Sequence, residues 1–299
     1  MANIPGAEVR IDAATVTALL RQQAPHLADL PVQPFGHGWD NEIFAVGPGL
    51  LARFPRRRDA ATLIEHEIGF VPRLAIRLPA PVPVPVFAGR PGLNYPWRWT
   101  VVPRLPGTVA AEMTPADRSE AALGLAAFLA ALHTRADSDA PTNLFRGVPL
   151  VERAAELAPR VAAAAGVDAL AAWQRQVAAP RWPRPPVWTH GDLHPMNVLL
   201  DADHGLAGVI DFGDVCAGDP AGDLAVAWLM FDATARDQFR ACCAATDRYD
   251  PGVWGRAWAW ALALASMFSL ASDDMPPLAA IARHGLAQTL SDPEFGPAA

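Results

Sequence analysis

A carboxylate, a carboxamide and a second carboxylate follow one another at short spacing in the second half of the chain. Asn197 comes five residues after Asp192, and Asp211 comes fourteen residues after Asn197, with mainly apolar stretches between them. A carboxylate can orient a hydroxyl group and accept its proton. Amide and carboxylate oxygens are ligands that Mg²⁺ accepts beside phosphate oxygens. We therefore predict Asp192 as a general base, with Asn197 and Asp211 as Mg²⁺ ligands. The alternative is that both aspartates only make turn or helix-cap bonds.

Two histidines lie in the same stretch. His190 precedes Asp192 by two residues, where an imidazole can bond backbone groups, so we predict that it braces the loop. His194 is either a solvent-facing side chain or a contact to phosphate or substrate, and the sequence leaves both open. The two histidines could bind a metal together, but Asn197 and Asp211 make a Mg²⁺ site the simpler account.

A glycine-rich turn lies between two predicted strands near the start of the chain. Gly36 and Gly38 would let backbone N–H groups approach phosphate oxygens closely. The pattern G-x-G-x-x-G is incomplete, because Asn41 stands at the third glycine position. An ordinary hairpin is the alternative interpretation.

A basic residue, Arg53, lies on the predicted strand that comes after the two strands flanking the glycine-rich turn. Arg53 stands where protein kinases carry a lysine that pairs with nucleotide phosphates and with a glutamate of the next helix. We predict Glu67 as the partner of Arg53, with Glu65 as the second choice. A surface arginine paired with a helix glutamate is the alternative.

The composition is that of a globular protein and excludes several classes of function. Hydrophobic residues make up 52% of the 299 residues and the net charge is −7, which argues against a nucleic-acid groove or an anionic membrane surface. The three cysteines indicate neither a disulfide framework nor a zinc site. Residues 1–10 lack the features of a signal peptide, and the apolar segment 257–271 is shorter than the ~20 residues of a membrane span. We therefore expect a cytoplasmic protein with no obligate protein partner.

The order of predicted elements is typical of an α+β fold. A helix over 12–23 precedes an antiparallel meander over 33–53 and a helix over 59–76. The proline-rich residues 79–86 predict an extended connection. Strands are expected near 84–88 and 97–102, and helices over 119–133, 150–165, 168–179, 219–231, 233–245, 251–271 and 277–288. The change from strands to helices falls near residues 104–107.

Taken together, these motifs resemble the aminoglycoside phosphotransferase family, small-molecule kinases of protein-kinase-like fold. The segments that carry the resemblance are residues 78–83, 102–107, 190–199, 208–214 and 218–225. The resemblance implies a two-lobed fold. Residues 1–104 would form the nucleotide-binding lobe, and residues 105–299 the helical lobe with the catalytic loop and the acceptor site.

The resemblance also implies ATP or GTP and Mg²⁺ as cofactors, with Arg53 and Glu67 at the phosphates. Residues 102–105 would form the hinge between the lobes, where the Pro103 carbonyl and the Leu105 N–H could bind the purine. Arginine replaces the usual lysine of the family at position 53, as in macrolide-modifying relatives. No activation segment of the protein-kinase type follows residues 211–213, which favours a small-molecule acceptor.

Two aspartates in the last of these segments are predicted to support the site. Asp219 would be the N-cap of the following helix, and Asp223 would brace the catalytic loop.

The acceptor is less clear from the sequence. An antibiotic, either an aminoglycoside or a macrolide, is the first interpretation, a metabolite such as an amino alcohol or sugar the second, and a binding module without catalysis the third. Ammonium groups of an acceptor could meet acidic side chains, which would otherwise be solvated: Asp214, Asp232, Asp273 and Asp274. A macrolide could lie on Trp254, Trp258, Trp260 and Phe268, although core packing is the more common use of such a spacing.

Overall fold

The N-terminal part of the fold is built on an antiparallel sheet. The structure is a computed structural model that describes residues 5–272 and 274–297. The strands of this sheet lie in the order β1-β2-β3-β5-β4. They are β1 (Val32–His37), β2 (Asn41–Val46), β3 (Leu50–Pro55), β4 (Phe87–Gly89) and β5 (Trp99–Pro103). The predicted meander is confirmed, because β1, β2 and β3 pair in antiparallel register in chain order.

The first helix covers one face of this sheet. In α1 (Ala13–Gln23), the Thr15 N–H donates to the Asp12 carboxylate at 2.8 Å, which caps the helix start. Its apolar side buries Leu19 and Leu20 against Phe54 and other residues of the sheet. This N-terminal core is separate from the larger core of the rest of the chain.

The second helix, α2 (Arg58–Ala75), contributes to both parts of the fold. Its contacts with β3 and β5 attach it to the sheet. Its last turns bury Val71 and Leu74 in the larger core. Glu67 lies between these two contacts and is itself buried.

The proline-rich connection between α2 and β4 contains neither helix nor strand and is bonded to the second half of the chain. The Val209 N–H donates to the Pro81 carbonyl at 3.1 Å. Val82 is buried in the larger core. The strand expected near residues 84–88 is β4, which begins only at Phe87.

Short strands and helices form the larger part of the fold. One small sheet contains β6 (Thr108–Val109), β8 (Val198–Leu200) and β9 (Leu206–Val209), and another pairs β7 (Val187–Thr189) with β10 (Cys216–Gly218). The helices are α3 (Ala121–Leu132), α4 (Ala154–Val177), α5 (Ala221–Leu224), α6 (Val226–Met230), α7 (Ala233–Ala244), α8 (Val253–Leu270) and α9 (Pro276–Leu290). The predicted α+β fold, with a sheet first and helices afterwards, is confirmed.

Two predicted helical stretches differ in detail. The helices expected over 150–165 and 168–179 are the two halves of α4, which is broken at Gly166, where φ is 88° and ψ is 176°. The helix expected over 219–231 is split into α5 and α6. Trp228 donates to the Ala225 carbonyl three residues earlier, which tightens the chain at the break.

The apolar helix α8 lies in the larger core. Trp258 and Trp260 are buried there. They are therefore core residues, and they cannot form the exposed apolar wall considered from the sequence. Within residues 5–272 and 274–297, no helix combines the length and the apolar character that crossing a membrane requires.

Candidate active site

The loop between β7 and β8 carries Asp192, and both ring nitrogens of His190 make hydrogen bonds that stabilise it. The Asp192 N–H donates to His190 Nδ1 at 3.2 Å, and His190 Nε2 lies 2.9 Å from the Ile210 carbonyl. Because Nδ1 accepts, Nε2 must carry the proton and donate to Ile210. His190 thus joins the Asp192 loop to the residue that precedes Asp211.

A buried aspartate holds the start of the same loop. Asp223 accepts hydrogen bonds from the N–H groups of His190 at 2.7 Å and Gly191 at 2.9 Å. His133 Nε2 lies 3.1 Å from the same carboxylate. Burial alone would raise the pKa of Asp223, but the bonds with His133 and the backbone lower it, so the carboxylate stays ionised.

Gly191 is required by the shape of this loop. Its φ is +86°, and a Cβ at this position would lie 2.3 Å from the Asp214 carbonyl oxygen. Only glycine combines this dihedral with such a close approach. The loop therefore lies directly against the residues that follow Asp211.

Asp192 is paired with Arg146, a cation that no sequence motif indicated. Arg146 Nη2 lies 2.8 Å from Asp192 Oδ1, and His194 Nε2 lies 3.4 Å from Oδ2. Burial would raise the pKa of Asp192, but Arg146, and then His194, hold it well below its usual range. Asp192 is therefore an ionised acceptor, suited to orienting a hydroxyl group.

His194 is mostly buried, so the solvent-facing interpretation is wrong. Its Nδ1 accepts from the Met196 N–H at 3.3 Å, which fixes the ring beside Asp192. The Phe268 ring packs edge-on against it, with the ring centroids 5.5 Å apart. Phe268 thus lies next to the loop that carries Asp192.

The two predicted metal ligands lie on either side of the β8–β9 hairpin. Asn197 Nδ2 donates to the Asp192 carbonyl at 2.8 Å, so its side-chain oxygen faces the other way. Asp211 has a φ of +66°, a left-handed conformation that is uncommon outside glycine, and its side chain is half exposed. This pair of oxygen donors fits a hard cation that takes its other ligands from phosphate and water.

Arg53 joins Asp211 to α2. It makes a buried ion pair with Glu67, and its Nη2 donates to Asp211 Oδ1 at 3.0 Å. Burial would lower the pKa of Arg53, but the two carboxylates raise it above its usual range. Burial raises the pKa of Glu67, and among the residues that the structure describes its Oε1 has no hydrogen-bond partner. Glu65 instead pairs with Arg98 at 3.0 Å.

The position of α2 against the Asp211 loop is set by a close contact. A Cβ on Gly213 would lie 2.9 Å from Leu63 Cβ, so the helix packs directly on this glycine. His66 Nδ1 lies 3.1 Å from the Gly213 carbonyl. Both contacts hold α2 so that Glu67 meets Arg53.

The glycine-rich turn forms the tip of the β1–β2 hairpin. The Gly38 N–H donates to the Asn41 carbonyl at 2.9 Å, and nothing lies within 4 Å of a Cβ placed on Gly36 or Gly38. Asp40 at this tip binds Arg57 at 2.7 Å. Burial, helped by the charge of Asp211, raises the pKa of Asp40 to about 6 although Arg57 opposes the shift. The tip therefore faces the Asp211 side of the site.

The predicted hinge, residues 102–105, comprises the end of β5 and the two residues that follow it. The Arg104 N–H donates to the Gly49 carbonyl at 2.9 Å. Within the described part of the chain the Leu105 N–H makes no backbone hydrogen bond, and the Leu105 side chain is close to Gly208 of β9. The Pro103 carbonyl and the Leu105 N–H thus lie at the junction of the sheet with the second half of the chain.

The acidic residues considered as acceptor contacts lie in different places. Asp214 accepts from Asn143 Nδ2 at 2.6 Å and lies 3.9 Å from Arg146, so it belongs to the site. Asp232 caps α7 through the Ala235 N–H, and the surface cavity that it lines contains none of the residues above. Asp274 lies in an exposed turn, and Asp273 lies outside the described residues.

Asp219 was expected to be a helix N-cap. Pro220, which directly precedes α5, makes no side-chain cap bond, and its dihedral angles are already helical, with φ −63° and ψ −14°. The Asp219 carboxylate accepts from the Ala221 N–H at 3.0 Å, which is the side-chain bond expected of an N-cap. Its other oxygen is 2.7 Å from Arg256 Nε in a buried ion pair. That pair ties the start of α5 to α8.

Arg146, Asn143 and Asp40 are site residues that the sequence analysis did not select. Arg146 and Asn143 lie in the irregular segment between α3 and α4, which has no motif and no periodicity. A polar, glycine-containing stretch of this kind between two helices was the available signal. Asp40 lies beside the glycines that were selected.

Comparison with known proteins gives consistent results. The model of the phosphotransferase enzyme family matches residues 31–260. The structure is similar to the GDP complex of wild-type aminoglycoside 2'-phosphotransferase-IIIa, with 19% identity, a TM-score of 0.68, and coverage of 93% of this chain and 99% of that one. It is also similar to macrolide 2'-phosphotransferase type I, with 25% identity, a TM-score of 0.63, and coverage of 93% and 98%. The apoenzyme of macrolide 2'-phosphotransferase MphH from Brachybacterium faecium matches with 22% identity, a TM-score of 0.62, and coverage of 93% and 99%.

Proposed function

Since the chain belongs to the phosphotransferase enzyme family, we propose that it transfers the γ-phosphate of ATP or GTP to a hydroxyl group of a small molecule. The observation that carries this proposal is the cluster formed by Asp192, Asn197 and Asp211 with the Arg53–Glu67 pair. These residues are far apart in the chain and lie together only in the fold.

Each residue of the cluster has a role that its contacts support. Asp192 orients the acceptor hydroxyl and accepts its proton as the oxygen–phosphorus bond forms. Asn197 and Asp211 would hold Mg²⁺, which supplies charge neutralisation at the phosphates. Arg53 would meet the phosphates while Glu67 holds its guanidinium in place. The backbone at Pro103 and Leu105 would bind the purine.

The acceptor that we propose is an antibiotic, because the solved relatives are named as aminoglycoside and macrolide phosphotransferases. Asp214 is already bound to Asn143 and Asp232 serves as a helix cap. A carboxylate accepts several hydrogen bonds, so Asp214, which lies beside the proposed base, could still meet an ammonium group of an aminoglycoside. Asp232 is less suited to this contact, because the cavity that it lines contains none of the site residues.

The test is nucleotide turnover by the purified protein with Mg²⁺ and either ATP or GTP. Macrolides, aminoglycosides and small alcohols serve as acceptors, and mass spectrometry identifies the phosphorylated product. We expect turnover with at least one acceptor. Transfer only to small alcohols would identify a metabolite kinase, and absence of turnover and nucleotide binding would contradict the proposal.

Two variants separate the base from the metal ligand. Asp192→Ala should lower kcat by about 10³-fold while nucleotide affinity stays nearly unchanged, since a general base contributes roughly 10²–10⁴-fold. Asp211→Ala should instead remove the gain in nucleotide affinity that Mg²⁺ produces, measured by calorimetry with and without Mg²⁺. Retained activity in Asp192→Ala would contradict the base assignment.

A further inference from the structure

Arg146 contacts the proposed base, yet none of the roles above uses it. Its Nη2 lies 2.8 Å from Asp192 Oδ1, and its Nε lies 3.9 Å from Asp214 Oδ2. The side chain is 20% exposed, so most of the guanidinium is withdrawn from water. Such a cation loses hydration and needs compensating partners. Asp192 and Asp214 are those partners.

The segment that carries Arg146 is fixed on both sides. Asn143 Oδ1 accepts from the Phe145 N–H at 2.9 Å, while its Nδ2 donates to Asp214. On the other side, Arg153 Nη1 donates to the Phe145 carbonyl at 2.8 Å. Both backbone groups of the residue before Arg146 are therefore bonded.

The residue after Arg146 lies against the sheet that leads into the catalytic loop. A Cβ on Gly147 would lie 2.8 Å from the Ala217 carbonyl oxygen and 2.9 Å from Cys216 Sγ. Both of these residues belong to β10, which pairs with β7, and β7 ends one residue before His190. The backbone of Arg146 and the loop of Asp192 thus have a common support.

We propose that Arg146 is a positioning residue, an inference that rests on the proposed function. Its guanidinium holds Oδ1 of Asp192 and fixes the carboxylate, so that Oδ2 is available to the acceptor hydroxyl. The contact of Oδ2 with His194 is long, at 3.4 Å, and does not compete strongly for this oxygen. Catalysis is sensitive to such placement, because a shift of about 1 Å can cost roughly 100-fold in rate.

The first test compares Arg146→Gln with wild type, using the acceptor found in the turnover screen. We expect kcat to fall about 100-fold, with the KM for nucleotide nearly unchanged. Arg146→Lys keeps the charge without the planar fork and should recover only part of the loss. Added guanidinium ion, at a concentration that does not denature, should partly restore Arg146→Ala. The matched control is Arg184→Gln, an exposed arginine paired with Asp247, which should leave kcat unchanged.

The second test asks whether Arg146 acts through Asp192. In the Asp192→Asn background, Arg146→Gln should not reduce the residual kcat further, because no carboxylate is left to position. Asn143→Ala releases the segment but keeps the guanidinium, so it should lower kcat less than Arg146→Gln. It also provides a second readout if Arg146→Gln folds poorly, as followed by thermal unfolding.

The outcomes separate the two proposals. A wild-type protein without phosphoryl transfer would overturn the proposed function and the role of Arg146 together. With an active wild type, the role of Arg146 alone is overturned if Arg146→Gln and Asn143→Ala keep full kcat. It is also overturned if the loss lies in nucleotide KM, or if the loss is as large in the Asp192→Asn background.

Discussion

At the scale of single residues, the site contains two groups of ion-paired side chains. In each group one arginine lies between two carboxylates. Arg53 lies between Glu67 and Asp211, and Arg146 lies between Asp192 and Asp214. A nucleotide phosphate meeting Arg53 would therefore compete with Asp211 for its guanidinium, and a metal ion would take up the carboxylate that is released.

Asp40 gives a prediction for the pH dependence of stability. Its pKa is raised from 3.8 to about 6, so between these values the folded protein keeps a proton that the unfolded chain has lost. The stabilisation from this proton is present below pH ~4 and is lost as the pH rises through ~6. Asp40→Asn does not titrate, so its free energy of unfolding relative to wild type should rise by about 2 kcal/mol between pH 4 and 7.

Urea unfolding of the nucleotide-free proteins at a series of pH values measures this difference. A difference between Asp40→Asn and wild type that is constant over the pH range would contradict the assignment. Taking the difference between the two proteins cancels the contributions of the acidic groups that do not interact with Asp40.

At the scale of elements, close backbone contacts decide where the loops lie. Gly191 rests on Asp214, Gly213 on Leu63 of α2, and Gly147 on β10. In each case a missing side chain allows two segments to approach that larger residues would separate.

Gly191→Ala tests one of these contacts. The added methyl group meets the Asp214 carbonyl in a left-handed backbone, so we expect a loss of roughly 2–3 kcal/mol in the free energy of unfolding and a lower kcat. The control is Gly69→Ala, an exposed position in α2 with nothing within 4 Å of the added Cβ. There we expect a gain of about 0.5–1 kcal/mol and no change in kcat. Equal effects at the two positions would contradict the argument.

Whether a contact could be predicted from the sequence depends on how far apart its two residues lie along the chain. His190, Asp192 and Asn197 could be predicted because they lie within one short loop with a fixed spacing. Arg53 and Glu67 could be paired because a strand and the next helix must face each other. Arg146 could not be found, since its contact with Asp192 depends on how the segment after α3 returns to β10. The buried ion pair of Asp219 with Arg256 could not be found either, because Arg256 lies far along the chain on α8.

At the scale of the whole molecule, α2 connects the N-terminal sheet with the larger hydrophobic core. Leu74 is buried in the larger core, while Glu67 two turns earlier holds Arg53. Leu74→Ala and Leu132→Ala should each cost about 2–5 kcal/mol of stability, since both side chains are fully buried. Only Leu74→Ala should also raise the KM for nucleotide, because it loosens the helix that carries Glu67.

Steady-state kinetics at saturating acceptor, with calorimetric unfolding of the same proteins, separates the two effects. An equal rise in nucleotide KM for Leu132→Ala would mean that lost stability alone weakens nucleotide binding. The position of α2 would then have no special influence.

The proline-rich connection has a consequence for motion. Residues 79–85 are stiffened by their prolines and bonded to β9, and they enter the sheet at β4. The chain leaves the sheet from β3 into α2, and again from β5, the strand next to β4. Two of the three connections between the sheet and the larger core therefore lie at one edge, and the hairpin with Gly36 and Gly38 lies at the opposite edge. We expect rotation of the sheet to be most restricted at β4 and β5, so that its largest displacement occurs at the glycine tip.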